Sequence, residues 1–256
     1  MKIIDLSVTI DNYTPADPPQ FRPQIEYQDH KKGAEETCGL LGCEMKDLPD
    51  GNGIAAENIR FMSTHAGTHM DAPYHFYPTM DGGKPSWTID EVPLEYFIGN
   101  AVVMDFSDKE PGYIITAKDL EEYFEKIHYM PKEGDICLLR SGAGEYYGTP
   151  EFLSHQCGVG REGTLWLIDK GVRVTGTDAW SWDIPMPMQA ANFKKDHDVS
   201  KLWEGHRTSK EKWYMHMEKL ANLDKIPVVG AKIICLPVKV NKASAGWCRA
   251  VAIIDD

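Results

Sequence analysis

Residues 63–76 read STHAGTHMDAPYHF, which places three histidines, an aspartate, a glycine and a proline within fourteen positions. His65, His69, Asp71 and His75 are spaced by four, two and four residues, so an extended chain would point all four to one face. A straight strand still spreads them too far. At about 3.3 Å per residue, His65 and His69 would stand ~13 Å apart, whereas two imidazoles sharing one ion each reach it at roughly 2.0 to 2.1 Å. A helix would bring residues four apart together, as in the HExxH zinc hydrolases, but Ala66 stands where those enzymes carry a general-base glutamate. Gly67, Thr68 and Pro73 also weigh against a helix. The stretch is therefore expected to be a bent strand or loop, turned tightly at Ala66-Gly67-Thr68, that folds His65 back beside His69 and Asp71.

Two neutral imidazoles and a carboxylate suit zinc, manganese or iron and leave positions for water, which is a catalytic pattern because structural zinc sites close all four positions. A divalent ion so held lowers the pKa of water and polarises a carbonyl. His75, beyond Pro73, is then placed to move the proton.

Outward from this stretch, KIIDLSVTI at the start and later NAVVMDF, DICLLR, VRVTGT, AKIICLPVKV and RAVAII are short apolar or β-branched runs bounded by Gly, Asp, Asn and Pro, and they read as strands. TAKDLEEYFEKI reads as a helix with Thr116 at its N-cap, Asp119 three residues on, and Leu120, Phe124 and Ile127 on one face. REGTLWLIDKG reads as a second helix that ends on Gly171. Strands and helices mixed in this way imply an α/β fold with a mixed β-sheet rolled toward a barrel and flanked by helices. Residues 1–256 are read as a single domain. Residues 16–57 are rich in Pro, Gly and charge with little periodicity, which reads as an irregular arm or lid.

The net charge of -12 speaks against nucleic acid, whose binders need clustered Lys and Arg, and favours a small-molecule substrate. No apolar run approaches the ~18 residues of a membrane span. The six cysteines (Cys38, Cys43, Cys137, Cys157, Cys235 and Cys248) form no CxxC pair and fit reduced thiols in a cytoplasmic protein.

HAGTHMDAPYH resembles the HxGTHxDxPxH motif of the cyclase-like metal-dependent hydrolases, the family of bacterial kynurenine formamidase and isatin hydrolase. The resemblance extends to KIIDLSVTI, LLRSG, VTGTDAWSWD and the closing AKIICLPVKVNKASAGWCRAVAI. It implies a swivelling β/β/α-like fold, metal ligands at His65, His69 and Asp71, and a catalytic acid/base at His75. It further implies a second metal position completed by His206 and Glu218, twelve residues apart just before ANLD, with Asp71 bridging and one or two ions of zinc or manganese per subunit. On one continuous helix those residues would lie ~120° apart, so His206 is expected at or before a helix start. His216 is then expected to be an exposed helix histidine, although it is a further potential ligand.

In TGTDAWSWD, Asp178 reads as a buried carboxylate orienting a ligand histidine or a backbone turn. Phe61, Tyr74, Phe76, Trp87, Trp180 and Trp182 make an aromatic substrate plausible. The expected activity is hydrolysis of a C–N bond in an amide, formamide or cyclic amide. A lactone or ester hydrolase using the same site is the nearest alternative, and a non-catalytic metal- or ligand-binding protein is the alternative of another class. The resemblance also implies a homodimer or homotetramer.

Overall fold

The computed structural model describes residues 1–255, with the side chain of Phe61 outside what is described. The strands of three residues or more are β1 (Lys2–Asp5), β2 (Gln24–Gln28), β3 (Ala56–Phe61), β4 (His69–Asp71), β5 (Ile98–Asp105), β6 (Asp135–Arg140), β7 (Val174–Thr177), β8 (Met215–Glu218), β9 (Val229–Ile234), β10 (Ala245–Trp247) and β11 (Val251–Ile254). Nine of them form one curled half-barrel sheet in the order β1-β11-β9-β5-β6-β7-β8-β4-β10, while β2 and β3 pair separately. Strands β5 to β8 run parallel to their neighbours within that group, and every other pairing in the nine-stranded sheet is antiparallel.

The parallel centre is buried on both faces, which is why NAVVMDF and DICLLR are unbroken apolar runs. Ala101, Val103, Ile136 and Leu138 join one core cluster with Leu6, Met70 and Met217. Val102, Met104, Cys137 and Leu139 face the other way, onto the helices. The helices are α1 (His30–Leu41), α2 (Ala117–Lys126), α3 (Arg161–Asp169) and α4 (Met186–Asp196), of which α2 and α3 cover this face. Thr116 caps α2 as expected: its hydroxyl accepts from the Asp119 amide at 3.2 Å, while the Asp119 carboxylate accepts from the Thr116 amide at 2.8 Å. Leu120 and Phe124 are buried, and Phe124 stacks on Trp166 of α3. Gly171, at φ +97°, turns the chain from α3 toward β7.

Two expectations need correction. The segment 16–57 is not irregular: it carries β2 and α1, and β2 forms an antiparallel pair with β3. Asp29 caps α1 by accepting from the Lys31 and Lys32 amides, and Gly42 ends it in the left-handed region. Its periodicity is invisible because only Gly33 and Ala34 are buried. The helix docks by close backbone approach, since a Cβ on Gly33 would lie 2.0 Å from the Ile54 carbonyl oxygen. Second, residues 206–218 hold no α-helix; a short 3-10 turn at His206–Lys210 leads into strand β8. Among the described residues no helix is long and apolar enough to cross a membrane.

Candidate metal centre

The centre is built on the register between β4 and β8. Asp71 pairs with His216, Met70 with Met217 and His69 with Glu218. Because side chains alternate along a strand, the two methionines enter the core cluster and the four polar residues share the opposite face. His216 is therefore a fully buried strand residue, not the exposed helix histidine expected from the sequence. Its position was legible in the apolar-polar alternation of Met215-His216-Met217-Glu218, which has the period of a strand.

The turn before β4 behaves as its composition demands. Gly67 has φ +62°, and a Cβ there would meet Ile10 Cγ1 at 2.8 Å. The bend carries His65 back until its ring centroid lies 5.1 Å from that of His69 and its Nδ1 stands 2.8 Å from Asp71 Oδ1. The other ring nitrogen is held by Ser244 Oγ at 2.9 Å, just before β10, and the Trp247 indole pins the turn by donating to the Ser63 carbonyl. Thr68 ties the turn to both neighbours: its hydroxyl donates to the Lys219 carbonyl and accepts from the Val8 amide.

Donor atoms converge around Asp71. His69 Nε2 lies 3.2 Å from Asp71 Oδ1 and 3.6 Å from Glu218 Oε2. His216 Nε2 lies 3.3 Å from both Asp71 Oδ2 and Glu218 Oε1, and His206 Nε2 is 3.8 Å from Glu218 Oε1. Both Asp71 oxygens and His69 Nε2 are buried without an aligned hydrogen-bond partner despite this crowding. Orphaned buried acceptors are costly, and a cation between them would satisfy them all. The donor set of imidazoles and carboxylates thus fits a divalent ion.

The outer nitrogens fix which ring atom is bare. His69 Nδ1 lies 2.9 Å from the Gly67 carbonyl, which requires a proton on Nδ1 and leaves Nε2 aimed at Asp71. His206 Nδ1 lies 2.5 Å from Asp183 Oδ2, and Asp183 also accepts from the Gly205 and His206 amides. This carboxylate-histidine pair is the arrangement that orients metal-binding imidazoles. Asp178, expected to orient either a ligand histidine or a backbone turn, does the latter, accepting from Ser141 N, Ser141 Oγ and Gly144 N. Asp183 takes the histidine.

Burial works to raise the Asp71 carboxyl, but His65, His69 and His75 outweigh it and hold it well below the usual carboxylate range. Burial likewise pulls His216 down, and Asp71 and Glu218 reverse that to about 9. His75 sits on the helical turn Pro73–Phe76 with its ring centroid 4.1 Å from that of His65. His75 keeps an exposed edge on the cavity, yet the protein around its ring disfavours the charged form and takes its pKa down to about 4, against the pull of Asp71.

The centre opens into a cavity of about 470 Å³ whose apolar wall includes Phe21, Phe76, Trp180, Met186 and Trp203. Asp17 and Phe21, from the 16–57 segment, line it too, so this segment covers the site of its own chain. Lys219, buried beside the centre, anchors that segment: its ammonium donates at 2.6 Å both to Asp17 Oδ1 and to the His65 carbonyl. Trp87, by contrast, packs against Trp213 away from this wall, and Trp182 lies in the core.

Residues 4–184 match the family model described as "Putative cyclase", a stretch that contains the histidine-rich turn and ends before His206. An isatin hydrolase of Roseibium aggregatum is 27% identical over 214 residues, covering 78% of this chain and 75% of its own. A kynurenine formamidase of Bacillus cereus is 27% identical over 190 residues, covering 74% and 76%. Among solved structures, an isatin hydrolase bound to the product analogue thioisatinate shares the fold with a TM-score of 0.76 at 20% identity, covering 100% of this chain and 93% of that one. The structure titled as a potential metal-dependent hydrolase with cyclase activity overlays with a TM-score of 0.64 at 20% identity, covering 100% and 98%.

Proposed function

The chain belongs to the cyclase family, and from that premise we propose that it is a metal-dependent hydrolase of small molecules, cleaving the C–N bond of an amide, formamide or cyclic amide. The observation that carries the reading is the cluster of orphaned buried acceptors at Asp71 and His69, behind a cavity lined by His65, His75, His206 and Glu218 and large enough for a one- or two-ring substrate.

In this reading His65, His69, Asp71, His206 and Glu218 hold zinc or manganese, as one or two ions. Such an ion, when bound, would activate water at neutral pH and polarise a carbonyl. His75, which lines the cavity beside His65, is placed to take a proton from the attacking water and to deliver it to the departing nitrogen. Asp183 keeps the His206 proton on Nδ1, so that Nε2 stays bare toward Glu218. The wall of Phe76, Trp180 and Trp203 suits a flat aromatic substrate and excludes bulk water.

Residues 1–256 are read as one domain. Tyr27, Leu40, Leu41 and Ile54 on the covering segment are exposed apolar side chains, which supports a homodimer or larger homo-oligomer. Four of the six free cysteines are buried thiols, in keeping with a reducing cytoplasm.

The test is a panel of an N-formyl arylamine, a cyclic aryl amide and an aryl lactone, assayed with the wild type and His75→Ala. Turnover of an amide, falling roughly 10² to 10⁴-fold in the variant with its metal content unchanged, supports the assignment. Equal loss of metal and activity would make His75 a ligand, and a preference for the lactone would move the reaction to esters.

A further inference from the structure

We infer that His216 is a metal ligand that completes, with Asp71, His206 and Glu218, a binding site for an inner ion. This rests on the proposal that the centre holds metal at all.

The first support is how the carboxylate oxygens are shared out. Asp71 Oδ1 faces His65 Nδ1 at 2.8 Å and His69 Nε2 at 3.2 Å, while Oδ2 faces His216 Nε2 at 3.3 Å. Glu218 divides in the same sense: Oε2 faces His69 at 3.6 Å, and Oε1 faces His216 at 3.3 Å and His206 at 3.8 Å. Each carboxylate thus presents one oxygen to the His65–His69 pair and the other to the His206–His216 pair. Without His216 the inner pair is a single imidazole.

Spacing is the second support. Four donors placed tetrahedrally at 2.0 to 2.2 Å from an ion stand about 3.4 Å from one another. The 3.3, 3.3 and 3.8 Å separations around the inner group scatter about that value, and its four donor atoms all lie within 4.8 Å of one another. Charge-assisted hydrogen bonds are shorter, about 2.7 to 2.9 Å. In the same site the His206–Asp183 hydrogen bond measures 2.5 Å, whereas that between His216 Nε2 and Glu218 Oε1 is stretched to 3.3 Å, close to the spacing of two donors on one ion.

The third support is the way the His216 ring is fixed. His69 and His206 are aimed by hydrogen bonds on their outer nitrogens, but His216 Nδ1 is buried with no partner. Its ring instead packs 4.8 Å from Phe76 and stacks 5.9 Å from Trp182. Ring packing aims Nε2 at the carboxylates where a hydrogen bond does so elsewhere. All four inner residues are buried; His206 and Glu218 also border the cavity beside His65 and His75, while Asp71 and His216 stand behind them.

Zinc content of the purified wild type, His216→Phe and His65→Ala, measured by elemental analysis after equilibration with zinc, decides the matter. The phenylalanine keeps the aromatic packing and removes the donor. Two equivalents in the wild type and one in His216→Phe are expected, with zinc competition against a chelator showing the second site weakened at least 100-fold. A wild type that holds a single ion overturns the inference without any variant, as does a His216→Phe that retains the wild-type content. If His65→Ala still binds one ion while His216→Phe loses none, the metal reading survives and only the inner ligand fails.

Discussion

Replacing Asp183 with asparagine changes one atom in a carboxylate that makes three contacts and should be read out as metal affinity. Asp183 accepts from His206 Nδ1 at 2.5 Å, from the His206 amide at 3.2 Å and from the Gly205 amide at 2.7 Å. An asparagine offers one oxygen and one NH₂. If its oxygen keeps His206 Nδ1, the NH₂ confronts the Gly205 N–H, and a buried donor is left unpaired at about 1 to 3 kcal/mol. If it rotates to serve Gly205, the NH₂ donates to Nδ1 and stabilises the tautomer with its proton on Nε2, directed at Glu218 where the ion should sit. Loss of such an orienting partner costs about 10- to 100-fold in metal affinity, or about 1.4 to 2.8 kcal/mol. Competition of apo-protein and a chromogenic chelator for zinc measures this. Asp178→Asn is the control, because Asp178 serves only the 141–144 turn and should cost stability without touching affinity. Affinity within twofold of wild type for Asp183→Asn would refute the reasoning.

Further outcomes follow from the same geometry. Gly67→Ala places a side chain at φ +62°, a cost of about 1 to 2 kcal/mol on top of contact with the yielding tip of Ile10; a melting temperature lower by roughly 2 to 8 °C should appear in calorimetry. Lys219→Met strands the buried Asp17 carboxylate and should lower stability by about 3 to 5 kcal/mol in urea titration, while adding Asp17→Asn should restore much of it. Glu218→Gln removes charge from both flanks of the centre and should lower zinc content and the melting-temperature gain on zinc addition; unchanged values would show that Glu218 is only a neighbour.

The local parts of this molecule were legible and the long-range parts were not. The bend at Gly67 follows from ligand reach alone, and the Thr116 cap from residues three apart, so both could be read without a fold. The helical reading of 206–218 rests on a twelve-residue spacing, yet the deciding fact is the register of β8 against β4, some 145 residues earlier in the chain. Alternation at 215–218 signals the strand; nothing local signals its partner. Asp183 was hidden for the same reason, since its contact with His206 spans 23 residues of loop and helix. Helix α1 escaped notice because it docks through Gly33 against the Ile54 backbone and shows no apolar stripe.

The most direct test of the central claim is amide hydrolysis by the purified protein before chelation, after chelation and after zinc or manganese is restored. Turnover that disappears with the metal and returns with it is predicted, together with release of an ion that His65→Ala holds less tightly. Undiminished turnover by verified metal-free protein would contradict the account.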